Sequence, residues 1–197
     1  LRKTPQAASS MKDNKWDKAL FVGNELWKKH VGIVGFGRIG QIVAKRLQGF
    51  EVKITFFDPF IEKSELPNTH KAQDLNEIFK NCDVIIITVP TPLKQKHIPD
   101  LSFVKNSVKK ILPFLRKNQL ISLESTSYPG TTEEELTKKI KNMIVGKDIF
   151  ICYSPEREDP GNKYFKTIDV PKIISGETAN CLKVAKKFYK VFFKSVV

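Results

Sequence analysis

Residues 31–40 read VGIVGFGRIG, an apolar segment that runs into three spaced glycines. Val31 to Val34 have the length and branching of a short buried strand, and they run directly into the glycine string GFGRIG at 35–40. From Ile39 to Leu47 the apolar residues Ile42, Val43 and Leu47 recur at helical spacing. A second strand, Val52 to Phe57, ends at Asp58, with 17 residues between Gly40 and that acid. Strand, glycine turn, helix, strand and terminal acid, in this order, make a dinucleotide-binding βαβ unit. In such a unit Gly35 permits the tight turn, Gly37 lets the backbone approach a pyrophosphate, and Gly40 lets the helix pack closely on the strand. The start of the helix offers unpaired N–H groups and a partial positive charge to the phosphates, with Arg38 and Ile39 beside them. Asp58 is placed to accept from ribose hydroxyls, and its charge would repel a 2′-phosphate, so NAD is expected in preference to NADP. The plainer alternative is that the glycines only shape a turn and Asp58 only closes a strand.

Outward from this unit, strands and helices alternate. Pro59 to Lys71 is polar and turn-like, Leu75 to Phe79 reads as a short helix, and Asp83 to Val89 is a third strand, apolar enough to be covered on both faces. A helix is expected over Leu101 to Leu115, interrupted at Pro113, then a fourth strand at Leu120 to Leu123. Gly130 to Met143 reads as a helix whose first turn holds Thr131, Thr132, Glu133 and Glu134. Strands at Ile149 to Tyr153 and Lys172 to Ile174 and a helix at Thr178 to Lys190 complete the chain; ahead of the glycine string lie helical character from Gln6 to Lys18 and an extended piece from Leu20 to Leu26. This regular alternation defines an α/β fold with a doubly wound, mostly parallel sheet, a Rossmann NAD-binding domain. The expected organisation is an N-terminal helical arm over 1–30 and the domain over 31–197, in halves 31–90 and 91–197, without a complete substrate domain.

Composition narrows the class further. With 41% hydrophobic and 28% charged residues in 197, neither a disordered nor a fibrous chain is expected. Apolar runs such as Val84 to Ile87 fall far short of the roughly 20 residues that span a bilayer. No charged start leads into an apolar stretch and cleavage site, so a cytoplasmic protein without a membrane partner is expected. The chain starts at Leu1 and is expected to be a fragment. Cys82, Cys152 and Cys181 are odd in number and lack a CxxC pair, and His30, His70 and His97 are scattered, so reduced thiols and no metal site are expected. The net charge of +13 comes from 29 lysines and 5 arginines against 21 acids. Lys109, Lys110, Lys138, Lys139, Lys141, Lys186 and Lys187 spread over several helices with no aromatic-basic motif, which describes a solvated surface better than a nucleic-acid site. A non-enzymatic basic interaction module is the alternative from another class.

Two resemblances meet in the chain. The segments RKTPQAASSMKDNKW (2–16), FVGNEL (21–26), VGIVGFGRIGQIVAKRLQGF (31–50) and FFDP (56–59) resemble the D-2-hydroxyacid dehydrogenase family, particularly its phosphoglycerate dehydrogenase type. Glu51 departs from the glycine usual there. That resemblance implies a first helix near a subunit interface, hence a homodimer. It also implies a catalytic Arg after the fourth strand with a later Glu and His, but the chain reads ISLESTSYPGTT at 121–132 instead.

The segments DVIIITVPTPL (83–93), PDLSFV (99–104), LESTSYPGTT (123–132), YSPEREDPGN (153–162) and KIISG (172–176) resemble the nucleotide-sugar 6-dehydrogenases, especially those acting on UDP-N-acetylhexosamines in polysaccharide synthesis. Glu158 stands where a valine is more typical. This second resemblance implies that Val89, Pro90 and Thr91 line the cofactor cleft. It places Thr126 near the nicotinamide end and Glu156 near the nicotinamide and a catalytic water, both in supporting catalytic roles. Glu124 also ends a strand at that edge, where a buried carboxylate could move a proton. Plainer roles stand beside these: Thr126 capping a turn, Pro90 and Pro92 stopping the strand, Glu156 holding a loop near Arg157. The resembled enzymes oxidise an alcohol twice with two NAD through a thiohemiacetal on a cysteine. That cysteine and its lysine partner would fall beyond Val197, so the nucleophile is absent and a nucleotide sugar is expected as a partner only through a missing domain. Cys152 and Cys181 lack the motif. Both families bind NAD, and the join between them falls near Pro59 to Lys80, as natural recombination, an engineered fusion or a chimeric assembly would each produce.

Overall fold

Short runs of β-branched and aromatic residues supply the strands, and polar helices with one apolar stripe connect them. The computed structural model describes residues 4–15, 26–94, 98–157, 170–193 and 195–197. Within these, the order is α1 (Thr4–Lys12), β1 (His30–Val34), α2 (Arg38–Leu47), β2 (Lys53–Phe57), β3 (Thr69–Lys71), α3 (Leu75–Phe79) and β4 (Val84–Ile87). There follow α4 (Ser102–Ile111), β5 (Leu120–Leu123), α5 (Thr131–Glu135), β6 (Phe150–Tyr153), β7 (Ser175–Gly176) and α6 (Ala179–Tyr189). The sheets are Rossmann-like, parallel except for β7, which runs antiparallel to β6.

Pairing is level. β1 meets β2 from His30↔Lys53 to Val34↔Phe57, and β5 meets β4 and β6 from Leu120 to Leu123. All parallel strands therefore end along the same edge of their sheet. All four residues of β5 are buried. On one face Ile121 and Leu123 pack with Ile85, Ile87 and Ile151 against Val104, Val108 and Ile111 of α4; on the other, Leu120 and Cys152 meet Ala185 and Tyr189 of α6. A second core of Phe36, Ala44, Val52, Ile54 and Phe56 fills the first half, where the Phe36 and Phe56 rings stack with centroids 4.0 Å apart. α3 links the two halves: Ile78 and Phe79 belong to the larger core, against which Phe57 at the end of β2 also packs.

Several elements differ from the sequence reading. The Rossmann arrangement holds, its ladders falling into two hydrogen-bonded sets, β1-β2-β3 and β4-β5-β6-β7. A Cβ on Gly32 would meet Ile78 Cγ2 at 2.4 Å and the Cys82 sulfur at 3.5 Å, so α3 and Cys82 pack closely over β1. The polar stretch 59–71 contains β3, which Thr69, His70 and Lys71 form by pairing with β2. The helix expected over 130–143 stops at Glu135 because Leu136 turns to φ −114°, ψ −66°, and one 3₁₀ turn, Thr137–Lys139, follows. Lys172 makes only an isolated bridge, with Val196, so Lys172 to Ile174 is not a ladder strand. The early helix covers Thr4–Lys12, and the extended piece at 20–26 lies outside the described residues apart from Leu26. Among the described residues no helix is long and apolar enough to cross a membrane.

The amino end of β5 is tied down by Gln119, which is fully buried. Its Nε2 donates to Cys82 O at 2.8 Å and Phe79 O at 3.3 Å, while its Oε1 accepts from Arg116 N at 2.7 Å. Gln119→Leu keeps the volume but strands these buried groups. Chemical denaturation should show a loss of about 1–3 kcal/mol with an unchanged denaturant slope.

Candidate functional site

The glycine loop is built as its spacing requires. Gly35 has φ +91°, a conformation that L side chains avoid, and its N–H donates to Phe57 O at 2.8 Å. A Cβ on Gly40 would lie 2.2 Å from Gly35 O, so only glycine lets α2 sit this close to the turn. Gly37, the N-cap of α2, is open: a Cβ there would meet nothing within 4 Å. α2 has no side-chain cap and no acid in its first turn, and Arg38 and Ile39 are exposed beside it. A groove of about 580 Å³ flanks the loop, between α2 and residues 61–66, with Phe36, Arg38 and Lys45 among its walls.

Asp58 follows β2 at the same edge and is only 8% exposed. Its Oδ2 accepts from Phe36 N at 2.7 Å, inside the glycine string, and its Oδ1 accepts from Phe60 N at 2.8 Å and Ile61 N at 3.2 Å. The Phe60 amide leads a set of amide donors, with Lys71 nearby, that hold the carboxyl below the usual carboxylate range against the opposing effect of burial. Asp58 therefore clamps the glycine loop to the end of β2 besides standing where a ribose acceptor is expected.

In the second half, Val89, Pro90 and Thr91 follow β4, Thr126 lies exposed in the turn after β5, and Glu156 lies exposed after β6. The turn further on, at 128–131, is closed by Thr131, whose hydroxyl donates to Tyr128 O at 2.7 Å. Glu124, one residue past β5, is linked to Glu156 through a buried lysine. Lys172 Nζ lies 3.0 Å from Glu124 Oε2 and 3.6 Å from Glu156 Oε2. The Tyr189 hydroxyl donates to Glu124 Oε1 and lies 2.6 Å from Ser122 Oγ. Burial first, and then the bond to Glu124, push the Tyr189 hydroxyl far above its ordinary range; burial first, and then the Glu124 charge, push the Cys152 thiol up to about 11. Cys152 thus stays a protonated core thiol, without the thiolate a nucleophile needs.

Two groups of expected residues are brought together: Asp58 with the glycine loop, and Glu124 with Glu156. Each occupies the carboxyl edge of its own half-sheet. Lys172 and Tyr189 were missed as site residues. A charged residue inside the apolar run PKII (171–174) was the available signal for the first; Tyr189 sits on the apolar face of α6 and gave none.

Residues 60–193 match the UDP-glucose/GDP-mannose dehydrogenase family, NAD binding domain, and residues 1–109 match the D-isomer specific 2-hydroxyacid dehydrogenase, NAD binding domain. The chain belongs to both families. It is 33% identical over 170 residues to the UDP-N-acetyl-D-glucosamine 6-dehydrogenase of Pseudomonas aeruginosa, covering 84% of this chain and 39% of that one. It is 32% identical over 174 residues to the D-3-phosphoglycerate dehydrogenase of Methanocaldococcus jannaschii, covering 85% of this chain and 30% of that one. The solved structure of the UDP-N-acetyl-mannosamine dehydrogenase Cap5O from Staphylococcus aureus superposes with a TM-score of 0.65 at 26% identity, over 86% of this chain and 46% of that one. The chain spans less than half the length of the curated relatives named here. It is an NAD-binding domain of the nucleotide-sugar dehydrogenase kind, with the hydroxyacid dehydrogenase family matching as the alternative.

Asp58→Asn replaces an acceptor of three amides with a group that also carries donors. A loss of about 1–3 kcal/mol is expected in denaturant titrations at neutral pH. Because the folded carboxyl titrates below its unfolded value, its contribution is complete above roughly pH 5 and fades as pH falls through the unfolded value near 3.9 toward the lower folded one. The variant should lack that part of the acid sensitivity.

Proposed function

We propose that this chain is the cofactor domain of an NAD-dependent dehydrogenase that oxidises a nucleotide sugar, with the sugar site and the nucleophile supplied by sequence beyond it. The observation that carries this reading is the build of the glycine loop: Gly40 packed against Gly35 O, Gly37 open, and Asp58 closing the far side. The match over 60–193 and the UDP-sugar dehydrogenases among the relatives support the substrate class. When bound, NAD supplies a hydride acceptor. Gly35, Gly37, Arg38, Ile39 and Gly40 would hold its pyrophosphate through backbone N–H groups and the start of α2. Asp58 would take the ribose hydroxyls with lone pairs left free by its amide bonds. Val89, Pro90 and Thr91 would wall the cleft, and Thr126 and Glu156 would stand at the nicotinamide end, where Glu156 holds a carboxylate for proton acceptance.

In this reading residues 1–30 form an arm and 31–197 the domain. The thiols of Cys82, Cys152 and Cys181 are free, which favours a reducing, cytoplasmic setting. Ile39, Ile42 and Val43 form an exposed apolar stripe on α2, which favours self-association as a homodimer. A hydroxyacid dehydrogenase cofactor domain is the second reading, favoured by the match over 1–109.

Calorimetric titration of the chain with NADH should give saturable binding, stronger than with NADPH. Gly37→Val points into open space, so the thermal midpoint should move little, by the equivalent of at most about 1 kcal/mol. Its NADH affinity should fall at least about tenfold, 1.4 kcal/mol. Absence of binding heat in the parent chain, or full affinity in the variant, would overturn the assignment.

A further inference from the structure

We infer that Lys172 is a positioning residue for Glu156, held in place by Glu124 and Tyr189. The inference deepens the reading of Glu156 as the carboxylate at the nicotinamide end and rests on that reading for its catalytic meaning.

Lys172 is 6% exposed. An ammonium so placed must be paired, since an uncompensated buried charge costs several kcal/mol. Its backbone is fixed on both sides: its N–H donates to Ser195 O at 2.9 Å and its carbonyl accepts from Val197 N at 3.0 Å. Its head group lies 5.6 Å from the Tyr189 ring centroid and 5.5 Å from that of Phe193, so aromatic surface covers the directions that carboxylates leave open. Glu124 is equally fixed. Its N–H donates to Ile87 O at 2.9 Å, its Oε2 meets Lys172, and its Oε1 takes the Tyr189 proton. With the Tyr189 hydroxyl proton committed to Glu124, the Ser122 hydroxyl donates to Tyr189. The order is therefore Ser122, Tyr189, Glu124, Lys172, Glu156, each member oriented by the one before.

The charge count gives this arrangement its function. One ammonium faces two carboxylates, and Glu124 holds it at hydrogen-bond distance while Glu156, at 3.6 Å, receives its field. The second oxygen of Glu156 accepts from Arg157 N at 2.8 Å, so both of its oxygens are oriented. Among the described residues, the other titratable groups around this cluster do not compete. The Arg157 guanidinium donates to Pro171 O, and Tyr189 and Cys152 keep their protons through the neutral range. Glu124 and Glu156 thus share one cation, so removing Lys172 and removing the Glu124 charge must act on Glu156 in opposite directions.

The test is a pH titration of the full chain labelled with ¹³C at glutamate side chains, with the Glu156 signal identified by its loss in Glu156→Gln. In Lys172→Met the Glu156 midpoint should rise, and Lys172→Arg should restore most of the difference. In Glu124→Gln, which keeps an acceptor for Tyr189, the midpoint should fall. A folded Lys172→Met with an unmoved midpoint, or a Glu124→Gln shift of the same sign, would overturn the inference. If Lys172→Met does not fold, the sign in Glu124→Gln and the retention in Lys172→Arg decide. Repeating the titration with saturating NADH separates the two claims: a Glu156 signal indifferent to NADH, with the variant shifts intact, refutes its place at the nicotinamide end and leaves the positioning by Lys172 standing.

Discussion

Parallel pairing is the constraint from which the candidate site follows. A parallel strand cannot return through a tight turn, so each crossover must travel back over the sheet before the next strand begins. Every strand then finishes on the same side, and the loops that leave it gather there. In this chain the level register of β1 with β2, and of β4, β5 and β6, sets the glycine loop, Asp58, residues 89–91, Thr126 and Glu156 on those carboxyl edges. The hydrophobic core serves this geometry by fixing the strands. Ile121, Leu123 and Ile151 are fully buried, which leaves the polar residues just past the strand ends no freedom to retreat inward.

Within each half a carboxylate does the local fastening. Asp58 ties the glycine loop to β2 through the Phe36 amide, while Glu124 ties β5 to the C-terminal segment through Lys172 and Tyr189. The two differ in physics. Asp58 is satisfied by backbone amides, so its bonds orient the chain itself; Glu124 is satisfied by a charge and a phenol, so its bonds orient other side chains. Structure and binding are therefore not alternatives at Asp58. A residue that shapes the loop from one side can receive a ligand from the other.

Much of this was legible in the sequence where a single residue type carries a steric or solvation demand. Gly35 and Gly40 mark the turn and the close helix, and the runs at 83–89, 120–123 and 149–153 mark the strands that form at 84–87, 120–123 and 150–153. Asp58 was legible as a strand-terminal acid, though not its three amide partners, since backbone donors leave no mark on composition. β3 was hidden because Thr69, His70 and Lys71 have no apolar pattern and owe their extension to β2. The early end of α5 was hidden because no breaker stands at Leu136; tertiary packing of that fully buried residue outweighs helix propensity. Lys172 and Glu124 are 48 residues apart, and Tyr189 and Glu124 are 65 apart, separations at which sequence spacing carries no information about contact. The close approach of Ile78 and Cys82 to Gly32 is a packing outcome rather than a pattern.

The central claim is that one cofactor is received along both carboxyl edges, by the glycine loop in the first half and the Thr126 and Glu156 loops in the second. Amide chemical-shift mapping of the chain during titration with NADH addresses it most directly. The account requires shifts of matching concentration dependence at Gly35, Gly37, Phe36 and Asp58 and at Thr91, Thr126 and Glu156. Shifts confined to one half, or centred on the lysine-bearing face of α6, would contradict it.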